Sequence, residues 1–350
     1  MNTICIAFGI FLIIKLNVSE SMKLYVKNFF VYVKFAQQCL TDTWPTKSDL
    51  DIPTYIINLD TPPFLRWKQI ATKYKSEVKS EIVFYNIFYE ISSLCTSIVA
   101  QDQNRNIIHG RNLDFGYLLG WDKTKNTWAL PFKLRPLIIS INFTRHNQLC
   151  FRTVSFAGFI GTLTGIKPGI FSASLNARFD LNGGYIGVIE WLYNFDRQQS
   201  FVTLAIRDML TNAKNYSEVI DYLSNVSLVA PCYYILAGTK SGEGAIISRS
   251  RRTSLHIKRL GEDNQWFLIQ TNSDHWRQPL LSDDRFSSAN KCMQIQGKTD
   301  VTFKSLFNVL SSRPMLNKLT IYTTLMKPIT GEVGSSKQSC RDEDTPCTLW

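Results

Sequence analysis

The 350-residue sequence is poor in the pairings that hold metals and cofactors. None of its eight cysteines forms a C-x-x-C pair, which removes zinc ribbons and thioredoxin-type redox motifs. It has only four histidines, His109, His146, His256 and His275, and no H-E-x-x-H spacing, so no metal is expected. There is no G-x-S-x-G elbow, no P-loop and no dinucleotide glycine fingerprint, so no cofactor is expected either. Internal repeats and low-complexity segments are lacking. Beyond the N-terminus no apolar run approaches the ~20 residues that span a bilayer, which excludes a polytopic membrane protein. Charged residues make up 19% against 45% hydrophobic, which excludes a disordered chain. The 22 Phe, 14 Tyr and 8 Trp can fill one large core or two smaller ones, in one or two domains.

Positive charge is what the chain has in excess: 39 Lys+Arg against 28 Asp+Glu gives +11. Such a balance suits nucleic acid, anionic lipid or an acidic medium, and equally a solvated basic surface without a specific partner. The basic residues are not gathered into an aromatic-interleaved groove motif, which argues against nucleic acid. Ile4 to Ile14 is too short to cross a membrane and is followed by Lys15 and by small polar residues around Ser19 and Ser21. It reads as a signal-peptide core, with a buried N-terminal strand as the alternative. Sequons at Asn17, Asn142, Asn215 and Asn225 add candidate glycosylation sites, the last three expected on surface loops. Removing Cys5 with the signal leaves Cys39, Cys95, Cys150, Cys232, Cys292, Cys340 and Cys347. An odd number in an oxidising compartment leaves a thiol over, a candidate nucleophile.

Cys95 to Gln101 alternates like a strand, Asp102 to Asn106 is turn chemistry, and Asn106 to Asp114 reads as the returning strand. A turn centred on residues 103 and 104 sets Cys95 opposite Asn112, beside Arg111, and brings Asp114 close. Lys68 to Lys79 suggests a short solvated helix. Further strands are expected over Pro136–Phe143, Cys150–Phe159, Tyr233–Gly238, Gly244–Arg249, Ser254–Leu260 and Trp266–Thr271. Helical spacing marks Gly187–Tyr193, Phe201–Leu210 and Ser217–Leu223, the last with Ser217 as its cap. Strands, then helices, then antiparallel strands predict an α+β fold with packed sheets.

Two activations of Cys95 are conceivable. A Cys-His pair with His109 is one, but the two residues stand several positions apart along the hairpin, which favours structural roles. The other is a cut immediately before Cys95. The freed α-amine titrates near ~8 and can act as base for the thiol on its own residue, with Arg111 and Asp114 of the right type to stabilise the thiolate and hold the amine.

At this point the sequence resembles a known family. Cys95-Thr-Ser-Ile-Val-Ala-Gln-Asp and His109-Gly-Arg-Asn-Leu-Asp-Phe-Gly116 resemble the activation site of the N-terminal-nucleophile cysteine amidases, the group of acid ceramidase and N-acylethanolamine-hydrolysing acid amidase. Leu119-Gly-Trp121, Ser155 to Gly158, Leu163 to Gly169, Asn182 to Tyr185 with Glu190-Trp191, Gln270 to Asn272 with Trp276, Asp283 to Arg285, and Leu316 to Tyr322 are similar to the ceramidase branch. So are Tyr55 to Trp67 and Tyr85 to Glu90 upstream. The resemblance runs from Cys39 to Trp350.

It implies a four-layer αββα sandwich and self-cleavage between Leu94 and Cys95. The division is then 1–21 signal, 22–94 a short α-subunit or propeptide-side segment, and 95–350 the catalytic β-subunit. Cys95 is implied as nucleophile, Arg111 and Asp114 as its orienting residues, Asn272 as an oxyanion-hole amide and Arg285 as the brace. Cys39 is implied to pair with Cys292 across the cut, giving a disulfide-linked heterodimer, and Cys340 with Cys347. Cys150 and Cys232 are left as buried thiols or a pair. The implied activity is lysosomal hydrolysis of ceramide to sphingosine and fatty acid on an anionic lipid surface, with a saposin-like activator and secretion as a second destination. N-acylethanolamine hydrolysis and a catalytically silent lipid-binding role are the alternatives. Three features depart from the family. Lys68–Val83 is shorter than expected, implying a more open lipid site or a chain that does not mature. Ala177 stands where an acidic residue is expected, and Phe286 where a second arginine is common.

Overall fold

The computed structural model describes residues 39–75, 86, 94–115, 121–122, 124, 127–180, 183–193, 198–279, 283–340 and 347. The signal segment with Cys5 and Asn17, residues 22–38, most of 76–93, Leu119-Gly120 and Asn182 lie outside the described residues.

Two sheets face one another. The larger has eight strands in the order β1 (Thr54–Asn58), β6 (Ile138–Arg145), β7 (Gln148–Phe156), β8 (Thr164–Lys167), β9 (Phe171–Ala177), β10 (Cys232–Gly238), β11 (Gly244–Arg249) and β12 (Ser254–Arg259). The smaller orders β13 (Phe267–Gln270), β2 (Leu94–Gln101), β3 (Ile107–Asp114), β14 (Thr320–Lys327) and β15 (Glu332–Lys337). A two-stranded ribbon, β4 (Trp121–Asp122) with β5 (Thr127–Trp128), stands apart. Upstream, α1 (Lys68–Lys73) is shorter than its lysines suggest and buries Ile70, so it is not wholly solvated.

Helices α3 (Val202–Asn212) and α4 (Tyr216–Asn225) lie on the larger sheet, where α3 packs on β7, β8 and β9 and α4 on β11, and α2 (Gly184–Leu192) precedes them in the chain. Helices α5 (Arg285–Gln296) and α6 (Phe303–Ser311) cover the smaller sheet. The result is the αββα layering implied by the resemblance. Because sheet and helices cover both faces of β2 and β3, these strands are buried almost end to end, not on alternate residues. Gly187 lets α2 lie against the backbone, since a Cβ there would stand 1.8 Å from the Val229 carbonyl oxygen. The cap of α4 is Asn215, whose side chain accepts from Glu218 N, and not Ser217. A side chain two residues earlier satisfies the orphan N–H of the first turn.

The segment upstream of Cys95 is woven into the fold. β1 pairs in parallel with β6, and Asn308 of α6 bonds Thr43 N at 2.9 Å and the Thr41 carbonyl at 2.8 Å. Cys39 and Cys292 form a disulfide of 2.01 Å, and Cys340 and Cys347 one of 2.07 Å. Cys95, Cys150 and Cys232 are outside any disulfide, so Cys150 and Cys232 are not a pair; Cys232 is buried and Cys150 only half so.

Candidate active site

The site begins with the β2–β3 hairpin. The five residues Asp102 to Asn106 form its loop, with Asn106 N bonded to Asp102 Oδ1 and Arg105 at φ +67°. The register therefore pairs Gln101 with Ile107 and Cys95 with Leu113, one residue away from the expectation that put Cys95 opposite Asn112. Side chains alternate faces along a strand, so the slip decides the chemistry. In the observed register Cys95, Ser97, Arg111 and Leu113 point to the inner face, and Leu94, Thr96, Asn112 and Asp114 to the outer one.

On the inner face Arg111 Nη2 donates to Cys95 Sγ at 2.7 Å. Its Nη1 donates to the Leu163 carbonyl and to Thr164 Oγ1, each at 2.8 Å, and Nη2 to the Leu175 carbonyl at 3.3 Å. These oxygens are neutral, and the sulfur is the group among these hydrogen-bond partners that can acquire a negative charge. A guanidinium at that distance favours thiolate over thiol. Both residues are fully buried.

On the outer face Arg285, the first residue of α5, reaches across β2 and β3 and to the segment after β13. Its Nη1 donates to the Cys95 carbonyl at 2.8 Å, to Thr96 Oγ1 at 3.2 Å and to Asp114 Oδ2 at 3.3 Å. Its Nη2 donates to Asn272 Oδ1 at 2.9 Å, and the Asp283 carboxylate takes Nε and Nη2 at 2.6 and 2.9 Å. Burial pulls the guanidinium pKa down, but Asp283 and then Asp114 more than reverse this, so Arg285 stays charged. Asp284, whose carboxylate accepts from Ser287 N at 3.0 Å, caps the same helix and offsets the cost of a cation at its positive end.

Asp114 lies opposite Leu94, and its Oδ2 accepts from Arg285 and from Asn317 Nδ2 at 3.2 Å. Burial pushes its carboxyl up to about 6, against the opposing pull of Arg285, Thr320, Asn317 and Arg111. Asp283 takes the greater share of the Arg285 charge, so the single long contact does not bring Asp114 back to the ordinary carboxylate range.

Asn272 follows β13. Its Oδ1 accepts from Cys95 N at 2.8 Å and from Arg285, while Nδ2 donates to the Ala177 carbonyl at 2.8 Å. Two donors on the oxygen and an acceptor on the nitrogen fix the amide orientation. All five sequence-predicted residues, Cys95, Arg111, Asp114, Asn272 and Arg285, thus join one hydrogen-bonded cluster. With Leu94 and Cys95 joined, the oxygen of Asn272, not its N–H, faces the Cys95 nitrogen. At Ala177 only the backbone carbonyl takes part. Phe286 lines, with Thr271, Ser273 and Trp276, a cavity of about 330 Å³ beside the cluster.

His109 takes no part as a base. It is buried between the sheets, its ring nitrogens 3.0 and 2.8 Å from Ser172 and Ser174 Oγ, and burial followed by the charge of Arg111 drops its pKa to about 3. Ser174 continues the network to Ser97 and on to Asn176, which holds the Gln270 carbonyl at 2.8 Å. Sequence reasoning missed this chain because small polar residues in doubly buried strands carry no periodic signal. It also missed Asp283, although that residue stands in a quoted motif. Among the described residues no helix is long and apolar enough to cross a membrane, and no group of three or more His, Cys, Asp or Glu could hold a metal.

The chain is similar to known amidases. The model of the linear amide C–N hydrolases, choloylglycine hydrolase family, matches residues 95–290, and that of the beta subunit of N-acylethanolamine-hydrolyzing acid amidase matches residues 51–100. Acid ceramidases of Pan troglodytes and Homo sapiens are each 34% identical over 373 aligned residues, covering 90% of this chain and 93% of theirs. The solved structure of a Caenorhabditis elegans N-acylethanolamine-hydrolyzing acid amidase ortholog is 36% identical with a TM-score of 0.58, covering 70% of this chain and all of that one.

Proposed function

The chain belongs to the linear amide C–N hydrolases of the choloylglycine hydrolase family, and from that premise we propose that it cuts itself before Cys95 and then hydrolyses ceramide to sphingosine and a free fatty acid. It is an amide hydrolase acting on lipid amides. The observation that carries the reading of the site is the contact of the buried Arg111 guanidinium with Cys95 Sγ at 2.7 Å.

In maturation Cys95 Sγ attacks the Leu94 carbonyl carbon, the Leu94–Cys95 C–N bond breaks as the thiol proton passes to the departing nitrogen and frees the Cys95 α-amine, and water hydrolyses the resulting thioester to the Leu94 carboxylate and the Cys95 thiol. Residues 22–94 and 95–350 then form two chains held by Cys39–Cys292 and by the β1–β6 pairing. In turnover the α-amine takes the thiol proton, Arg111 steadies the thiolate, and sulfur adds to the substrate carbonyl. Asn272 Oδ1, already the acceptor for Cys95 N, holds the ammonium. An amide nitrogen carries two protons, so Asn272 can keep its bond to Ala177 and donate with the other to the oxyanion. The ammonium protonates the leaving amine, and water releases the fatty acid and restores Cys95. Asp114 and Arg285 are positioning residues, acting through Cys95 O and Asn272.

An apolar substrate has to come from a membrane. Tyr185, Ile189, Leu192 and Tyr193 make an exposed apolar stripe at helical spacing on α2 and the residue after it. With a net charge of +11 this suits an anionic bilayer. An acidic lysosomal compartment, with secretion as a second destination and a saposin-like protein to lift the lipid, completes the reading. The similarity to N-acylethanolamine-hydrolyzing acid amidase favours N-acylethanolamines as a second substrate class. The test is paired turnover of ceramide and a fatty-acid ethanolamide at acidic pH, with Cys95→Ala as control. Release of sphingosine faster than ethanolamine is expected; the reverse order supports the second reading, and activity surviving in Cys95→Ala overturns both.

A further inference from the structure

The sequons separate once they are placed in the fold, and none of the three lies in a simple surface loop. Asn142 is half-buried in β6, between Ile56 of β1 and Arg152 of β7. It shares the face of Ser140, which lines a small cavity with Thr324 and Met326 of the opposite sheet. Asn225 ends α4, exposed, with Nδ2 donating to the Asp221 carbonyl at 2.8 Å.

Asn215 is different. It is exposed at the start of α4, and its cap uses only Oδ1, which accepts from Glu218 N at 2.9 Å, while Glu218 Oε2 accepts from Lys214 N at 2.9 Å. An N-linked sugar bonds to Nδ2 and leaves the carbonyl oxygen in place, so glycosylation and capping are compatible on one side chain. Asn215 also lines a cavity of about 320 Å³ with Ile170, Lys214, Tyr216, Thr239 and Lys240. That volume lies at the lower end of the ~300–1,000 Å³ typical of small-molecule clefts. The wall combines the Tyr216 ring and Ile170 with the Ser217 and Thr239 hydroxyls, the Lys214 and Lys240 cations and the Glu243 carboxylate, and the buried Tyr216 hydroxyl has no hydrogen-bond partner among the described residues.

Topology places the cavity away from the catalytic cluster. Ile170 precedes β9 and Thr239 follows β10, whereas Ala177 and Cys232, at the other ends of these strands, are the pair beside Asn272. Seven residues of β9 at ~3.3 Å each separate the two ends by roughly 20 Å.

We propose that Asn215 carries an N-linked glycan whose first N-acetylglucosamine seats in this cavity, far from the end of the sandwich that takes the lipid. The full chain secreted by a eukaryotic cell provides the test, with the Cys39–Cys292 disulfide verifying its passage through the oxidising compartment. Peptide mass spectrometry is expected to find a glycan on Asn215, absent in Ser217→Ala and retained in Ser217→Thr; a bare Asn215 in disulfide-bonded wild type overturns the modification. Both substitutions leave the Asn215 cap in place. Protein trimmed to one N-acetylglucosamine is expected to melt with the fully glycosylated form, and Ser217→Ala on the order of 2 °C lower. Ser217→Ala melting together with wild type overturns the seating.

Discussion

Cys95 is held by a guanidinium on each face of its strand, and the two bond to different kinds of partner. Outside, Arg285 is clasped through two bonds by Asp283 and shares a third carboxylate oxygen with Asp114. Inside, Arg111 meets the sulfur and neutral oxygens. A buried cation bonded to carboxylates is scaffold, whereas one bonded to a thiol sulfur favours the thiolate that forms there. The same residue type thus divides into positioning and chemistry according to what surrounds it.

The largest way to break this comparison is on the outer face. Arg285→Ala strands Asp283 and Asp114 and frees Asn272, and is expected to cost about 3–5 kcal/mol of stability in unfolding of the uncut Cys95→Ala chain. A cost below about 1 kcal/mol removes Arg285 from the scaffold.

Asp114 tests the same face through pH. Its folded carboxyl titrates near 6, above the ordinary 3.8, so the stabilisation from proton uptake is complete below about pH 4 and lost as pH rises through 6. His109, held near 3, works against it, since the unfolded imidazole takes a proton that the folded one refuses. The readout is therefore the difference between Asp114→Asn and its parent in the Cys95→Ala background. The asparagine chain is expected to be more stable at pH 7, by up to about 3 kcal/mol, and equal near pH 4. A difference that does not vary with pH contradicts the raised carboxyl.

The inner face should respond in turnover more than in stability. Arg111→Lys keeps a charge and loses the fork. A fall in kcat/KM on the order of 100-fold is expected in the matured enzyme, with a melting midpoint far closer to wild type than that of Arg285→Ala. Equal melting losses in the two variants erase the distinction between the faces.

Much of this was legible before the fold was known, for identifiable reasons. The β2–β3 hairpin declares itself by alternation around turn residues, so Cys95, Arg111 and Asp114 come together from local spacing alone. The register was missed by one because a tight turn was assumed where a five-residue loop stands, and that single step would have put Cys95 and Arg111 on opposite faces. Asn272 and Arg285 lie far along the chain, and only the family resemblance pointed to them. β1 went unread because a five-residue edge strand among prolines and aspartates looks like a loop. Its pairing with β6 makes the upstream segment part of the larger sheet rather than a detachable tail. The cap of α4 was misplaced because Ser217 and Asn215 are both capping residue types and only geometry chooses between them.

Self-cleavage at the bond before Cys95 is the central step of the proposed function. Intact-mass and N-terminal analysis of the protein after incubation at acidic pH, with and without reduction, tests it directly. It predicts one disulfide-linked species that separates on reduction and unfolding into two chains, the larger beginning at Cys95, and an uncut Cys95→Ala chain under the same conditions. A wild-type chain that stays single, or one cut at another residue, contradicts it.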